Sequence, residues 1–162
     1  MVSPSPRCKI TRRDYAVTTI SIRPACLEDA ADLAALHGQS FTPAWDTAAM
    51  GGFLRQNAKA MMAVKADQPM GFTLARLAAD EAELLSIAVS PQGRGQGLGR
   101  ALLLGLFVML KEAKVQKLFL EVASDNKVAC HLYEHIGFIR IGMRPKYYAN
   151  GADALTYSLS LG

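Results

Sequence analysis

The sequence predicts a mixed α/β fold: one central, mostly antiparallel sheet flanked by helices. Three apolar strands separated by short polar turns are predicted early in the chain, at residues 60–65, 70–77 and 83–89. Beyond them strands and helices alternate, beginning with a helix at 99–114 whose leucines recur at helical spacing. A meander of strands followed by alternating strands and helices is typical of a mixed sheet with helices on its faces.

The remaining elements follow from the same patterns. Residues 19–23 are predicted as a first strand and residues 24–38 as an amphipathic helix, with Glu28 and Asp29 in the first turn, where the helix dipole favours acids. We expect a turn at 66–69 between the first two strands of the meander. The other predicted elements are a loop at 39–46, a helix at 47–56, a strand at 117–122, a helix at 126–136 ended by Gly137, and two closing strands at 138–143 and 155–161.

Composition limits the class of protein. The chain has 162 residues, of which 51% are hydrophobic, as expected for one domain with a substantial core. Its longest apolar run, at 101–110, is far shorter than the ~20 residues that span a bilayer, and the N-terminus lacks the apolar segment of a signal peptide. Three widely spaced cysteines without a CxxC pair favour a reducing, cytoplasmic location over a disulfide framework or a zinc site.

The net charge of +4 is concentrated at one end of the chain. Residues 1–19 carry a net charge of +3, whereas the remaining 143 residues have 14 basic and 13 acidic side chains. A folded part this close to neutral has no basic stripe for nucleic acid. We predict a disordered basic extension at 1–18 and a domain at 19–162; an organelle-targeting segment or a start site assigned too early are the alternatives for the extension.

The most informative segment runs from residue 84 to residue 104. An apolar strand breaks at Ser90-Pro91, crosses a basic, glycine-rich turn and becomes a helix near Gly99. Such a turn directs backbone N–H groups and the positive end of a helix dipole towards one point, which favours a phosphate group. The dinucleotide fingerprint fails in every register and the Walker A lysine is missing, which leaves Arg-x-x-Gly-x-Gly at Arg94, Gly97 and Gly99.

Two further blocks accompany this motif. One runs from Leu120-Glu121-Val122 to Asn126 and continues with Tyr133 and Gly137-Phe138; the other is Arg144-x-x-Tyr147-Tyr148-x-x-Gly151-x-Asp153-Ala154. With these blocks the chain, from about residue 19 to 161, resembles the GNAT superfamily of acetyl-coenzyme A-dependent N-acetyltransferases. Within it, the chain is most similar to the bacterial ribosomal-protein-alanine N-acetyltransferases. It departs from their pattern at Ala123, usually Arg, at Ala152, often Glu, and in the residue inserted between Pro43 and Trp45.

The resemblance implies acetyl-coenzyme A as cosubstrate. It implies that backbone amides of the turn Arg94, Gly95, Gln96, Gly97, Leu98, Gly99 and Arg100 hold the pyrophosphate. It also implies that the strand edge formed by Ile87, Ala88 and Val89 pairs with the pantetheine arm, and that one amide there polarises the acetyl carbonyl. Asn126 is an N-cap candidate from its sequence position and a cofactor contact by resemblance.

Two catalytic residues follow from the resemblance. Glu121 is an acid within an apolar strand, where a carboxylate is costly unless it is paired or lies at an open rim. By resemblance it is the general base, acting through a water; a structural ion pair is the alternative. Tyr133 would give its proton to the departing thiolate, and the alternative is a tyrosine of the core.

The acceptor side is predicted from aromatic and basic residues near the chain's loops. Candidates are Trp45, Arg144, Tyr147 and Tyr148, which could instead be lids over the core. His131 and His135 lie one helical turn apart without an apparent third ligand, so we predict no metal site. For Cys130 an inert buried thiol is favoured over a covalent acetyl-cysteine route.

The sequence therefore predicts a cytoplasmic enzyme that acetylates the N-terminal α-amine of a protein, such as a ribosomal protein, by direct attack in a ternary complex. An α-amine with a pKa near ~7.8 is about one-third neutral at pH 7.5, whereas a lysine with a pKa near ~10.4 is neutral about once in a thousand. Alternatives are a small-molecule amine N-acetyltransferase and a non-catalytic acetyl-coenzyme A-binding module. We expect a monomer or homodimer without a nucleic acid or membrane partner.

Overall fold

The computed structural model describes residues 19–162, so the predicted extension at 1–18 lies outside the described residues. Four helices and seven strands cover most of this range. The helices are α1 (Ala30–Gly38), α2 (Thr47–Arg55), α3 (Leu98–Glu112) and α4 (Lys127–Ile136). The strands are β1 (Ile20–Pro24), β2 (Ala58–Lys65), β3 (Gln68–Ala78), β4 (Glu81–Val89), β5 (Lys117–Ala123), β6 (Ile139–Arg144) and β7 (Ala154–Ser160).

The strands form one sheet in the order β1-β2-β3-β4-β5-β7-β6, which confirms the predicted mixed, mostly antiparallel architecture. Only the pair β4–β5 is parallel among these strands, and it holds for three residues, Glu81–Glu83 against Lys117–Phe119. Beyond that point β4 continues to Val89 and β5 to Ala123 with no further paired residues between them. The two strands therefore separate, and a gap opens in the middle of the sheet.

A β-bulge redirects the end of β4. Leu74 pairs with Ser86, but its neighbour Ala75 pairs with Leu84, so Leu85 is an extra residue on β4. Because side chains alternate along a strand, the extra residue changes which of them point to each face. Both Leu84 and Ile87 consequently contact the same core cluster.

Each face of the sheet has its own apolar core. The larger cluster lies under α3 and α4. Four leucines of α3 in this cluster have no exposed surface: Leu102, Leu103, Leu106 and Leu110. The smaller cluster lies under α1 and α2 and includes Leu33, Met50 and Phe72, all fully buried. Within residues 19–162, no helix has the length and apolar character needed to cross a membrane.

Two predicted boundaries were wrong. The helix predicted from residue 24 begins later, because β1 extends to Pro24 and a single 3-10 turn, Leu27–Asp29, precedes α1. In the turn predicted at 66–69, strand pairing continues to Lys65 and Gln68, and only Ala66 and Asp67 turn the chain, with φ of 48° and 62°. Two-residue turns with positive φ are common in hairpins because they match the twist of paired strands.

The predicted limits of the helix at 126–136 are confirmed by its caps. The side-chain oxygen of Asn126 accepts the backbone N–H of Ala129 at 3.2 Å, the usual contact of an N-cap residue. Gly137 ends the helix with a φ of 118°, a conformation that residues with a Cβ rarely adopt.

Asp29 fixes the path of the chain from β1 into α1. The guanidinium of Arg23 donates to both of its carboxylate oxygens, at 2.8 and 2.9 Å, and the backbone N–H of Cys26 donates at 2.8 Å. Burial alone would raise the pKa of Asp29, but these hydrogen bonds and the charge of Arg23 outweigh it and hold the pKa below 3.8.

Replacing this acid tests how much the contact contributes to folding. We expect Asp29→Asn to lower the free energy of unfolding at neutral pH by about 2 kcal/mol, because it removes the carboxylate that accepts both hydrogen bonds of the Arg23 guanidinium. The folded-state pKa is lowered, so the contribution is complete above the unfolded pKa and is lost as pH falls through the folded value. Urea unfolding at pH 7 and at pH 3 measures this, with Asp32→Asn on the exposed face of α1 as control. An equal loss at both pH values would contradict the interpretation.

Candidate active site

The glycine turn lies at the open end of the gap, between β4 and α3. Its first bonds close the chain onto the sheet: Ser90 N–H donates to Met70 O at 2.7 Å, and Gly93 N–H to Ser90 O at 2.9 Å. The backbone N–H groups of residues 94–100 then make no hydrogen bond of good geometry within the described chain, and the first helical bond runs from Ala101 to Gly97 at 3.1 Å. Successive N–H groups without acceptors at a helix N-terminus bind anions.

Two glycines give the turn its shape. Gly95 and Gly97 have φ of 77° and 73°, in the left-handed region that favours glycine. A Cβ at either position would meet no atom within 4 Å, so the backbone conformation, and not crowding, accounts for glycine. The side chains of Arg94 and Arg100 are exposed and add positive charge. The turn therefore offers both backbone N–H groups and positive charge to an anion such as a phosphate group.

Ile87, Ala88 and Val89 form the part of β4 that lies beyond its pairing with β5. On the other side of the strand they pair with β3, while their edge towards β5 has no strand partner among the described residues. An extended chain can add to such an edge through main-chain hydrogen bonds. Ala88 is buried in the smaller cluster and the other two pack on the larger one, so the side chains fill the core while the backbone is available.

Glu121 lies on β5, opposite Thr156 of β7 and between the buried residues Leu120 and Val122. Its side chain is 28% exposed. The nearest cation is the guanidinium of Arg144, whose Nε lies 4.0 Å from the carboxylate Oε2 and whose side chain is 64% exposed. A contact of this length and exposure contributes little stability, so the structural ion pair is a poor account of this acid.

Tyr133 is buried on α4, with its ring 5.6 Å from that of Phe138 and 6.4 Å from that of Tyr157. Burial, together with the neighbouring Cys130, raises the pKa of Tyr133 above its ordinary value of 10.0, so the hydroxyl keeps its proton at neutral pH. That hydroxyl makes no hydrogen bond to any other residue in the range 19–162. The adjacent Leu132 contacts the N-terminal turn of α3 at Gly99, so α4 lies beside the glycine turn.

Arg144, Tyr147 and Tyr148 gather close to Glu121. The guanidinium of Arg144 lies 5.4 Å from the centre of the Tyr147 ring, and the two tyrosine rings meet at 88° with centroids 5.2 Å apart. The pKa of Tyr148 is raised by burial, then by the negative charges of Glu121, Tyr147 and Asp125. Four predicted site residues therefore share one environment.

Trp45 lies apart from this group. Its ring stacks on His37 at 4.5 Å, and its backbone N–H donates to His37 Nδ1 at 3.0 Å. His37 is 4% exposed, and burial lowers its pKa, which keeps the ring neutral and Nδ1 able to accept. Among residues 19–162, no hydrogen bond or ring contact joins Trp45 to Arg144, Tyr147 or Tyr148, so its acceptor role stays a prediction.

Two other features lie outside this site. A groove of about 760 Å³ runs between α4 and the strands β6 and β7, and Glu121 does not line it. The rings of His131 and His135 stack at 5.8 Å on the exposed side of α4. Between residues 19 and 162, no three His, Cys, Asp or Glu side chains form a group that could hold a metal ion.

Comparison with known proteins identifies the family of this chain. Residues 27–138 match the Acetyltransferase (GNAT) family. The chain belongs to this family. The GNAT match begins at the 3-10 turn before α1 and ends just after α4, so it includes the glycine turn, Glu121 and Tyr133.

Two relatives show which proteins the chain is similar to in sequence. It is 33% identical over 141 residues to a Bacillus subtilis protein provisionally named ribosomal protein bS18-alanine N-acetyltransferase, an alignment that covers 85% of this chain and 93% of that protein. It is 44% identical over 77 residues to the Escherichia coli enzyme of that name, where the alignment covers 48% of this chain and 52% of the enzyme. Against several curated relatives, then, the chain matches about half of their length.

The structure agrees with these sequence comparisons. The crystal structure of the ribosomal-protein-S18-alanine N-acetyltransferase from Escherichia coli superposes with a TM-score of 0.82 at 28% identity, covering 89% of this chain and 95% of that one. The similarity thus extends over nearly the whole GNAT domain, beyond the part where sequence identity is high.

The glycine turn can be tested by changing its backbone alone. We expect Gly97→Ala to weaken coenzyme A binding about tenfold, because an L-residue in the left-handed region costs roughly 1–2 kcal/mol and the turn would relax away from its N–H arrangement. Gly52→Ala in α2 is the matched control, since a Cβ there also meets open space but φ is not positive. Titration calorimetry measures both, and unchanged binding by Gly97→Ala would count against the turn as the phosphate site.

Proposed function

We propose that the chain transfers the acetyl group of acetyl-coenzyme A to the N-terminal α-amine of a protein, such as a ribosomal protein, in a ternary complex. The observation that carries the proposal is the gap between β4 and β5, which has an anion-binding turn at one side and Glu121 beside an aromatic cluster at the other. Membership of the GNAT family supports the reaction, and the names of the relatives support the acceptor. A cytoplasmic location is part of the proposal.

Acetyl-coenzyme A supplies the thioester whose C–S bond is exchanged for a C–N bond. The N–H groups of residues 94–100 hold its pyrophosphate, and the open edge of β4 from Ile87 to Val89 pairs with its extended arm. A backbone N–H of this edge, directed at the acetyl oxygen, stabilises the negative charge that develops there. Because these groups belong to a sheet strand and a helix terminus, they need no rearrangement during the reaction.

Glu121 takes the proton that the acceptor ammonium must lose before attack. Its carboxylate is partly exposed and, among residues 19–162, is held only by a long contact with Arg144, so it can accept a proton directly or through a water. An α-amine has a pKa near ~7.8 and gives up its proton at little cost, so an ordinary carboxylate suffices. The basicity required here thus fits an N-terminus better than a lysine side chain.

Tyr133 supplies a proton to the sulfur that leaves. Its raised pKa keeps the hydroxyl protonated at neutral pH, and the hydroxyl makes no competing hydrogen bond within the described residues. Asn126, which caps the helix that carries Tyr133, holds that helix in place and contacts the cosubstrate in this proposal. In this proposal Arg144, Tyr147 and Tyr148 form the wall against which the acceptor peptide lies, and Trp45, which lies apart from that wall, is a further acceptor contact.

The acceptor can be identified by measuring thiol release from acetyl-coenzyme A. We expect turnover with peptides that begin with alanine and little with polyamines or amino sugars, because only the peptide engages the aromatic wall. Glu121→Gln, which keeps the size of the side chain but cannot accept the proton, should reduce kcat by 10²–10⁴-fold, within the range of general-base catalysis.

Two results would change this proposal. Turnover of small amines alone would establish the small-molecule acetyltransferase. Tight binding of acetyl-coenzyme A with no amine-dependent thiol release would establish a binding module without catalysis.

The role of Tyr133 is tested by removing its hydroxyl. We expect Tyr133→Phe to lower kcat at least ~100-fold while the affinity for acetyl-coenzyme A stays the same, because the hydroxyl acts on the leaving group. Tyr157→Phe is the matched control: it removes a neighbouring buried hydroxyl that donates to Glu134 at 2.7 Å, and should cost about 1 kcal/mol of stability without changing kcat. Equal kcat in both variants would assign Tyr133 to the core alone.

A further inference from the structure

The loop between β6 and β7 is bonded to the loop that follows β5. The side-chain NH₂ of Asn150 donates to Asp125 Oδ2 at 2.8 Å. Beside it, Asp153 N–H donates to Ser124 Oγ at 3.1 Å, and Ser124 N–H donates to Asp153 O at 2.8 Å. Three hydrogen bonds thus connect two loops that lie about 25 residues apart in the chain.

Asn150 also shapes its own loop. Its side-chain oxygen accepts the backbone N–H of Ala152 at 3.0 Å, and the N–H of Tyr148 donates to the carbonyl of Ala152 at 3.1 Å. A side-chain amide has both a donor and an acceptor end, so one residue can brace its own loop and bind the other. This role of Asn150 was not predicted from the sequence, although Asn150-Gly151 is a turn signal.

The position of Asp125 makes the contact relevant to the site. Asp125 lies four residues after Glu121 and immediately before Asn126, the N-cap of the helix that carries Tyr133. On the other loop, Asn150 lies two residues after Tyr148. The Asn150–Asp125 hydrogen bond therefore connects the loop that carries Tyr147 and Tyr148 to the end of β5, which carries Glu121, and to the start of α4, which carries Tyr133.

We propose that Asn150 is a positioning residue for the acceptor: through Asp125 it holds Tyr147 and Tyr148 in place beside Glu121 before the peptide binds. A loop that is ordered in advance loses less conformational entropy when it closes on a ligand, which improves affinity without a new contact. The inference rests on the proposed function. It predicts that loss of the contact raises KM for the peptide and leaves KM for acetyl-coenzyme A and kcat nearly unchanged.

The test exchanges the two partners. Asn150→Ala removes both hydrogen bonds of the side chain and should raise the peptide KM about fivefold, which matches the usual net contribution of one solvent-exposed hydrogen bond. Asn150→Asp keeps an acceptor for the N–H of Ala152 but places a second carboxylate against Asp125, so it should raise the peptide KM at least as much as Asn150→Ala does. The double variant Asn150→Asp with Asp125→Asn restores an amide–carboxylate pair of reversed polarity and should return the peptide KM to within about twofold of wild type.

A control and a second readout separate positioning from general damage. Arg76→Ala removes another exposed 2.9 Å contact, to Glu83, which joins β3 to β4 outside the two loops, and should leave the peptide KM unchanged. Amide hydrogen exchange should become faster at Lys146, Tyr148 and Ala152 in both single Asn150 variants and return to the wild-type rate in the double variant, because these amides are bonded within the loop.

The outcomes distinguish the two proposals. If wild type acetylates no peptide, the proposed function fails, whereas the exchange rates still report whether Asn150 orders the loop. If the loop loosens but the peptide KM does not change, the loop does not position the acceptor and the inference is overturned. If the double variant recovers neither quantity, the Asn150–Asp125 contact is not the cause, and the inference is overturned as well.

Discussion

The site depends on the early end of pairing between β4 and β5. Parallel neighbours normally continue their hydrogen bonds along the sheet, yet these two pair over three residues and then separate. The consequence is an open strand edge in the centre of the sheet, supported from behind by β3 and by two apolar clusters. Because the core is packed on both faces, the sheet tolerates this unpaired edge, and the candidate groups are arranged around it.

The two sides of the gap between β4 and β5 carry charge of opposite sign. At the β4 side, unpaired N–H groups, a helix N-terminus and two exposed arginines provide positive potential for an anion. At the β5 side, Glu121 and Asp125 provide negative charge, which adds to burial in raising the pKa of Tyr148. A ternary complex needs this polarity, since one partner carries a pyrophosphate and the other arrives as an ammonium ion.

Local chemistry made much of this protein predictable. Alternating and helical periodicities gave the fold class, since they report which face of each element is buried. Gly95 and Gly97 were recognisable because few other residues adopt their φ, and Asn126 because its side chain caps the following helix through a contact three residues away. The start of α1 was misplaced since the acid that predicted a first turn, Asp29, is held outside the helix by Arg23.

Contacts between distant segments had no such local signal. The bulge at Leu85, the 4.0 Å approach of Arg144 to Glu121 and the hydrogen bond from Asn150 to Asp125 depend on sheet order and on two loops that meet at one end of the sheet. Residue types and short spacings thus specify elements and caps, because those interactions close within a few residues. The surroundings of Glu121 and the bracing of the loop at Asn150 follow from packing, because the partners of these residues lie more than twenty residues away in the chain.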